Sequence, residues 1–256
     1  NLPFTIDADA ESFYQRRMVR SMLAFLRLSI NEDDVNACAD LLPVMFLKSN
    51  LLQEIKAQMI LQDCTALMAL SSCRTGHAFQ EKKLKKLPSQ IRGLQNIPPA
   101  AALERIEKEI GFADYVKKRG NEGNKMEKGS DDVRNLKVAA KRFNDCASFL
   151  QHADHMSAMN KEVKKLSKHF PEAITLTTIH RSKGLEYKNV YILGAVDGGL
   201  PHDFALDDYR KGNKHALEEE RRLMYVAATR AKEQLYFSVL QSRGGKTVYP
   251  SRFLYL

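Results

Sequence analysis

The chain has 256 residues, of which 44% are apolar, and a formal net charge of +9 at pH 7. That length allows one large domain or two ordinary ones around a buried core. No stretch of 18 or more residues lacks charges and the N-terminus has no basic-then-apolar leader pattern, so export and membrane insertion are not indicated and we expect a cytoplasmic protein.

The cysteine and histidine patterns favour neither disulfides nor a metal. Four cysteines contain no CxxC pair and are predicted to be reduced, partly buried thiols: Cys38, Cys64, Cys73 and Cys146. His152 and His155 lie one helical turn apart and in principle share a metal. No third ligand stands nearby in sequence, so we interpret the pair as a solvated helix face and predict no metal site.

The positive charge is concentrated in the middle of the chain. Residues 41–170 hold 23 Lys and Arg against 14 Asp and Glu, whereas residues 1–40 have a net charge of −3 and residues 171–256 one of +3. A basic region favours a polyanion such as DNA, because neutralised phosphates release counterions. Many basic faces are only solvated, so this alternative stays open.

The N-terminal residues are typical of a fragment that begins inside a domain. The chain starts with Asn1 rather than Met, and Leu2–Asp7 has the pattern of a short strand. Apolar residues recur at helical spacing from Glu11 to Ile30, and residues 31–34 are predicted to end that helix.

Residues 35–170 are predicted to be helical, with almost no strand signal. Helix-period patterns cover Leu51–Leu70, Ala100–Gly111 and Val133–His152, and breakers are expected at Pro88, at Pro98 and Pro99, and at Gly120–Gly129. The polar, glycine-rich residues 121–130 are predicted to form a mobile loop.

From Pro171 onward the pattern changes to short strands. Ala173–Thr178, Val190–Val196 and Gln234–Leu240 are predicted strands, with a helix at Leu217–Glu233. Strands alternating with loops and helices predict a parallel α/β sheet, whose ligands bind at the carboxyl ends of the strands.

Two polar blocks lie where that sheet is expected to open. Residues 178–187 follow the first strand and carry a histidine, cations, a glycine and a carboxylate; the alternative is a charged loop that solvates the sheet edge. Residues 218–232 begin with three acids and end with Arg230 and Lys232, which suits the helix dipole. The dipole does not explain the small residues at 227–231, which let Arg230 sit in a tight interface.

Together these blocks resemble motifs five and six of UvrD-like superfamily-one helicases. The matching stretches are TIHRSKGLEYKNVYILG and EEERRLMYVAATRAKEQLYFS. Three further parts of the family are matched. The helix after motif four is similar to ESFYQRRMVRSMLAFLRL, and the inserted subdomain is similar to ERIEKEIGFADYV and RNLKVAAKRFNDCASFL. The closing helix is similar to SRFL. Two departures occur: Phe46–Ser49 replaces a Gly-Ile-Gly turn, which puts duplex contact by that loop in doubt, and Asp197–Pro201 predicts a loop of different shape.

The resemblance implies an α/β fold with part of a RecA-like parallel sheet, the second motor domain of a P-loop-type NTPase, interrupted by a mostly α-helical subdomain. Residues 1–36 and 171–256 would form the motor domain and residues 37–170 the insertion. ATP and Mg²⁺ would be held mainly by an absent first RecA-like domain. Arg230 would be an arginine finger, and Gly184, Glu186 and Lys183 would contact or couple to the nucleotide.

The resemblance also implies DNA contacts. Thr178 and His180 would grip single-stranded DNA, and four lysines of the insertion would contact phosphates or, equally, be solvated: Lys82, Lys83, Lys85 and Lys86. The implied function is the C-terminal portion of an ATP-dependent, 3'-to-5' DNA helicase near the nucleoid. Its partners would be single-stranded and duplex DNA and repair or transcription proteins, and the chain alone is expected to be inactive.

Two other functions remain open. One is a non-catalytic module, derived from a helicase, that binds DNA or a polymerase; the other is the helicase part of a helicase–nuclease. Gly245, Lys246 and Thr247 imitate the end of a phosphate-binding loop, but its first glycine would fall at Leu240, so we predict a turn there.

Overall fold

The computed structural model describes residues 4–6, 12–120, 126–166, 173–243 and 246–255. The chain divides into two compact units, Asp9–Val163 and Asn1–Ala8 together with Lys164–Leu256. The first unit is helical in its described part and the second combines helices with short strands, so the fold is mixed α/β as the sequence predicts.

The helical unit is built from nine consecutive helices in its described residues. They are α1 (Arg17–Ile30), α2 (Val35–Leu41), α3 (Leu51–Gln62), α4 (Ala66–Ser72), α5 (Ala78–Arg92), α6 (Pro99–Lys108), α7 (Phe112–Gly120), α8 (Met126–Ala140) and α9 (Cys146–Leu166), whose last three residues fall in the other unit. Side-chain caps fix two of the helix starts. Asp34 accepts from the Ala37 amide at 2.9 Å, and Thr65 accepts from the Met68 amide at 3.3 Å.

Helix α1 packs into the core of the helical unit. Phe25, Leu26 and Leu28 of α1 are fully buried in the same cluster as Phe112 and Phe149. The family resemblance assigned residues 1–36 to the strand-containing domain, whereas α1 packs within the helical unit. Burial of such large apolar side chains contributes about 1.5–3 kcal/mol each, so these contacts hold α1 in the helical core.

The predicted helix breakers have different outcomes in the structure: the break at Pro98 and Pro99 is confirmed, and the one at Pro88 is wrong. Pro88 lies inside α5 rather than ending it, between the buried residues Leu87 and Ile91. Proline costs a helix interior about 3 kcal/mol, and core packing of this face offsets that cost. Pro99 is the first residue of α6, a position that needs no amide donor. Of the predicted loop 121–130, residues 121–125 lie outside the described part, while 126–130 belong to α8 rather than to a loop.

The second unit contains strands β1 (Phe4–Ile6), β2 (Ile174–Leu176), β3 (Tyr187–Ile192), β4 (Ala231–Phe237), β5 (Ser242–Arg243) and β6 (Lys246–Thr247), with helices α10 (Asp203–Arg210) and α11 (His215–Ala228). Within the described residues they form three separate pairs. The pairs β1–β2 and β3–β4 are parallel, and β5–β6 is antiparallel. Lys246 and Thr247 of the segment that imitates a phosphate-binding loop lie in β6 rather than in the predicted turn, and Gly245 lies outside the described residues.

One face of the β3–β4 pair packs on α11. Ile192, Met224 and Ala227 are buried together there with Ala195 and Leu200. On the opposite face the rings of Tyr191 and Tyr236 are stacked, with their centroids 4.5 Å apart, and both side chains are exposed. The two faces thus differ, although parallel sheets are usually covered on both faces.

The predicted helix 217–233 is too long at its C-terminal end. α11 ends at Ala228, and Ala231 begins β4, because residues 231–237 pair with β3 through Tyr187 and its neighbours. Arg230 therefore lies in the turn between helix and strand, and Lys232 lies on the strand.

Histidine and cysteine positions refine the sequence interpretation. His152 is half-buried against the rings of Tyr14 and Phe143, so it is not on a solvated face. Cys38, Cys73 and Cys146 are buried free thiols, and burial raises the pKa of Cys38 to about 12. Within the described residues no helix is both long and apolar enough to cross a membrane.

Candidate functional site

The loop after β2 is a compact turn with exposed polar side chains. The Thr178 carbonyl accepts hydrogen bonds from the amides of Arg181 and Ser182 at 3.1 and 3.0 Å. The buried Ser182 hydroxyl donates to the Ile179 carbonyl at 2.8 Å. Because the backbone bonds to itself, the side chains of Thr178 and His180 are left exposed to solvent.

Gly184 lies in this loop and has a backbone conformation that other residues rarely adopt. Its φ is +84°, in the left-handed region, and a Cβ added there would meet nothing within 4 Å. Backbone conformation rather than space is what favours glycine at this position. Lys183 beside it is exposed.

Arg230 joins the end of α11 to this loop. Its Nε donates to the Val226 carbonyl at 2.9 Å, and one Nη donates to the Thr229 hydroxyl at 3.0 Å. The other Nη donates to the Leu185 carbonyl at 3.0 Å, and the Tyr187 amide donates to the Arg230 carbonyl at 2.9 Å. The guanidinium is therefore held in one orientation at the loop and is half-buried.

Glu186 forms an ion pair with Lys232 at the start of β4. The carboxylate oxygen lies 2.9 Å from Nζ, and each side chain keeps more than half of its surface exposed. The hydrogen bond and charge of Lys232, with a smaller effect of Arg230, lower the pKa of Glu186. The carboxylate is thus kept ionised, beside the Arg230 turn.

The predicted lysines lie in the helical unit and divide into two groups. Lys82, Lys83 and Lys86 line a groove of about 430 Å³ beside α5, together with Phe79, Gln90, Glu109 and Ile110. Lys85 does not line it. It lies near Glu81, whose pKa is lowered first by the amide of Thr75 and also by Lys85.

The two segments that depart from the family pattern have defined contacts. Phe46 has a φ of +56°, and its ring packs edge-on against Tyr115 with centroids 6.0 Å apart. In the second segment, the Arg252 guanidinium donates two hydrogen bonds to the Asp197 carboxylate Oδ2, at 3.1 and 2.8 Å. These contacts hold both loops.

Comparison with known proteins decides the family. Residues 1–242 match the model of the UvrD-like helicase C-terminal domain. The chain belongs to this family. It is 51% identical to the putative ATP-dependent DNA helicase YjcD of Bacillus subtilis, over all of this chain and 33% of that protein.

Other relatives are more distant but cover most of the chain. The ATP-dependent DNA helicase Rep of Buchnera aphidicola is 25% identical over all of this chain and 41% of its own length. DNA helicase II of Salmonella typhimurium is 29% identical over 94% of this chain and 35% of its own length. The chain therefore spans about a third to two fifths of these relatives.

For this UvrD-like domain, the structure gathers six of the predicted site residues in one unit. Thr178, His180, Lys183, Gly184 and Glu186 share one loop, and Arg230 is bonded to that loop. The lysines of α5 belong to the other unit. Sequence reasoning missed Lys232, which it assigned to a helix end, and Phe79. The helical spacing of Phe79 from Lys82 and Lys86 is a signal that was available.

Proposed function

We propose that this UvrD-like domain is the C-terminal portion of an ATP-dependent DNA helicase that translocates 3'-to-5' on single-stranded DNA and unwinds duplex. Membership of the family and the names of its relatives, which are ATP-dependent DNA helicases, support this proposal. In it, residues preceding this chain in the parent protein hold most of the ATP and Mg²⁺ contacts. The second unit of this chain, Asn1–Ala8 with Lys164–Leu256, forms the opposite wall of the ATP cleft.

Arg230 is the arginine finger of this proposal. A guanidinium has five N–H donors, and three of them are used by Val226, Leu185 and Thr229. The bonds fix the fork and leave two N–H groups for a phosphate. A cation that is already oriented stabilises the charge on the transferred phosphoryl group without reorganising during the reaction.

The loop at residues 178–186 couples the nucleotide to DNA. Gly184 and Glu186 approach the nucleotide and Lys183 links the loop to the cleft, while the exposed Thr178 and His180 contact single-stranded DNA. Because these residues are separated by one short turn, a shift of the loop on ATP binding moves the DNA contacts. Lid and loop movements of this kind set the rate of many enzymes.

The bond from Arg230 to the Leu185 carbonyl carries the proposal, since it ties the finger to the loop. Its test is Arg230→Ala in the full-length parent, where ATP turnover should fall on the order of 10³-fold or more while DNA binding stays nearly intact. Arg222→Ala is the matched control, because Arg222 is an exposed arginine of the preceding helix, α11, and pairs with Glu219. Unchanged turnover in Arg230→Ala would refute the finger.

The isolated chain provides a second test. Since the proposal assigns the phosphate loop and magnesium ligands to the preceding part of the parent, the 256-residue chain should show no DNA-stimulated ATP hydrolysis. Release of inorganic phosphate from ATP by a preparation free of contaminating ATPase would contradict this division of the site.

A further inference from the structure

An aromatic ring stands exposed among the lysines of α5. Phe79 keeps 81% of its surface exposed, although burial of a phenylalanine normally stabilises a fold. Residues three, four and seven positions further along a helix lie on the same face. Those positions are Lys82, Lys83 and Lys86, and all four side chains line the same groove.

The three lysines of this groove form no ion pair in the described part of the chain, although the carboxylate of Asp114 lies near Lys83, on the same side of Gly111. No described carboxylate forms an ion pair with Lys82, Lys83 or Lys86, whereas Lys108 pairs with Glu104 and Lys137 with Glu107. Glu109 is the acid that lines the groove, and it is paired with Arg105 at 2.9 Å. The groove is therefore a concentration of positive charge in which the acid is already neutralised.

One lysine occupies space that a glycine provides. A Cβ at Gly111 would lie 2.5 Å from Nζ of Lys83, and the φ of Gly111 is +93°. Glycine at this position thus leaves room for the ammonium group at the wall of the groove. A volume of about 430 Å³ falls within the range of about 300–1,000 Å³ that is usual for ligand sites.

We propose that this groove binds an unpaired nucleotide of a DNA strand. The base stacks on the Phe79 ring, the neighbouring phosphates contact Lys82 and Lys86, and the Gln90 amide faces the base edge. Aromatic side chains flanked by cations bind single strands in this way, because every base offers a flat face. Bases inside a duplex are already stacked and paired, so the groove discriminates against duplex.

The inference rests on the proposed helicase function, because that function brings single-stranded DNA to this protein. It goes further by naming the strand state that is bound and the ring that binds it. It also separates Lys85 from the other three lysines, a distinction that the sequence did not make.

The test measures binding of a short fluorescein-labelled oligothymidine to the 256-residue chain by anisotropy, without ATP. Phe79→Ala and Phe79→Leu should weaken binding about tenfold, while Phe79→Tyr should retain it. Lys82→Ala and Lys86→Ala should each weaken binding and reduce the slope of log affinity against log salt by about 0.7. Lys85→Ala is the matched control, since it removes the same charge from the same helix outside the groove.

Circular dichroism and thermal unfolding establish that each variant is folded. Wild-type affinity in Phe79→Ala would overturn the proposal, as would equal losses in Lys85→Ala and Lys82→Ala or tighter binding of a labelled duplex through the same residues. Displacement of the oligothymidine by polyglutamate, dependent on Phe79, would assign the groove to an acidic protein segment instead. If the groove variants bind oligothymidine as wild type but Arg230→Ala loses ATP turnover, the groove proposal is wrong and the proposed helicase function stands. If the groove variants lose binding but Arg230→Ala keeps its turnover, the groove proposal stands and the arginine finger is refuted.

Discussion

The guanidinium of Arg230 donates a hydrogen bond of 3.0 Å to the carbonyl oxygen of Leu185. The Tyr187 amide, two residues further along, donates to the Arg230 carbonyl at 2.9 Å. The turn after α11 and the loop after β2 are therefore tied by both a side chain and a backbone bond. Displacement of either segment requires the other to move or the bonds to break.

A lysine at position 230 separates charge from geometry. Arg230→Lys keeps a cation but cannot donate at once to Val226, Leu185 and Thr229 in a planar fork. ATP turnover of the parent should fall about 10²-fold, since a correctly aimed donor is lost. Arg222→Lys, at an exposed position of α11, should turn over ATP as wild type. Full activity in Arg230→Lys would show that charge alone suffices.

Gly184 offers a test of the loop with an internal control. Gly184→Ala forces a Cβ into a left-handed backbone, which costs about 1–2 kcal/mol, although the space around it is open. Gly212, with a φ of +92° and equally open space, lies between α10 and α11 in the chain. Both alanine variants should lose similar stability in urea unfolding.

The two glycine variants should differ in ATP kinetics. Gly184→Ala should raise the KM for ATP of the parent because the loop shifts, whereas Gly212→Ala should leave KM unchanged. Equal KM values in the two variants would contradict the proposed contact of Gly184 with the nucleotide.

The ion pair of Glu186 predicts a change in acidity. Lys232 is the main cause of the lowered pKa of Glu186, so Lys232→Ala should return that pKa toward its ordinary value. Carboxyl carbon chemical shifts followed during a pH titration measure this directly. Stability should change little, because both side chains are exposed. An unaltered titration of Glu186 in Lys232→Ala would contradict the pairing.

Alkaline pH should destabilise the helical unit through Cys38. Burial raises the pKa of this thiol to about 12 from the ordinary value of 9.0. The unfolded chain therefore loses the proton near pH 9 while the folded chain keeps it, so stability is complete below about pH 9 and falls as pH rises toward about 12. The midpoint of urea unfolding should drop less steeply over this range in Cys38→Ala than in wild type.

Local patterns predicted the elements better than their ends. Helical periodicity identified the segment that contains α11, but the small residues at its end continued the pattern past Ala228. The end is set by pairing of β4 with β3, which joins residues about 45 positions apart, for example Val190 with Leu235. A sequence window does not contain that partner, so Lys232 was placed on a helix and its contact with Glu186 was missed.

Packing overrode local rules in the helical unit as well. Pro88 is a breaker by its chemistry, yet α5 continues because Leu84, Leu87 and Ile91 are buried on one face. The loop residues 178–186 and Arg230 were predicted as one site because the motif order was informative. The groove at Phe79 was not predicted, since a lone phenylalanine at helical spacing is more often a core residue.

The pairing of β1 with β2 has a consequence for the order of folding. Phe4 and Ile174 are opposite each other in the ladder although 170 positions separate them, and the whole helical unit lies between them in sequence. Joining such remote segments costs chain entropy before the contacts between them form, so this pairing is slow. Helices that pack against their sequence neighbours assemble rapidly. During synthesis or refolding, β1 is therefore expected to pair with β2 only after the intervening helices have packed. A substitution that disrupts packing anywhere in that helical core should delay the pairing of β1 with β2, although neither strand is altered.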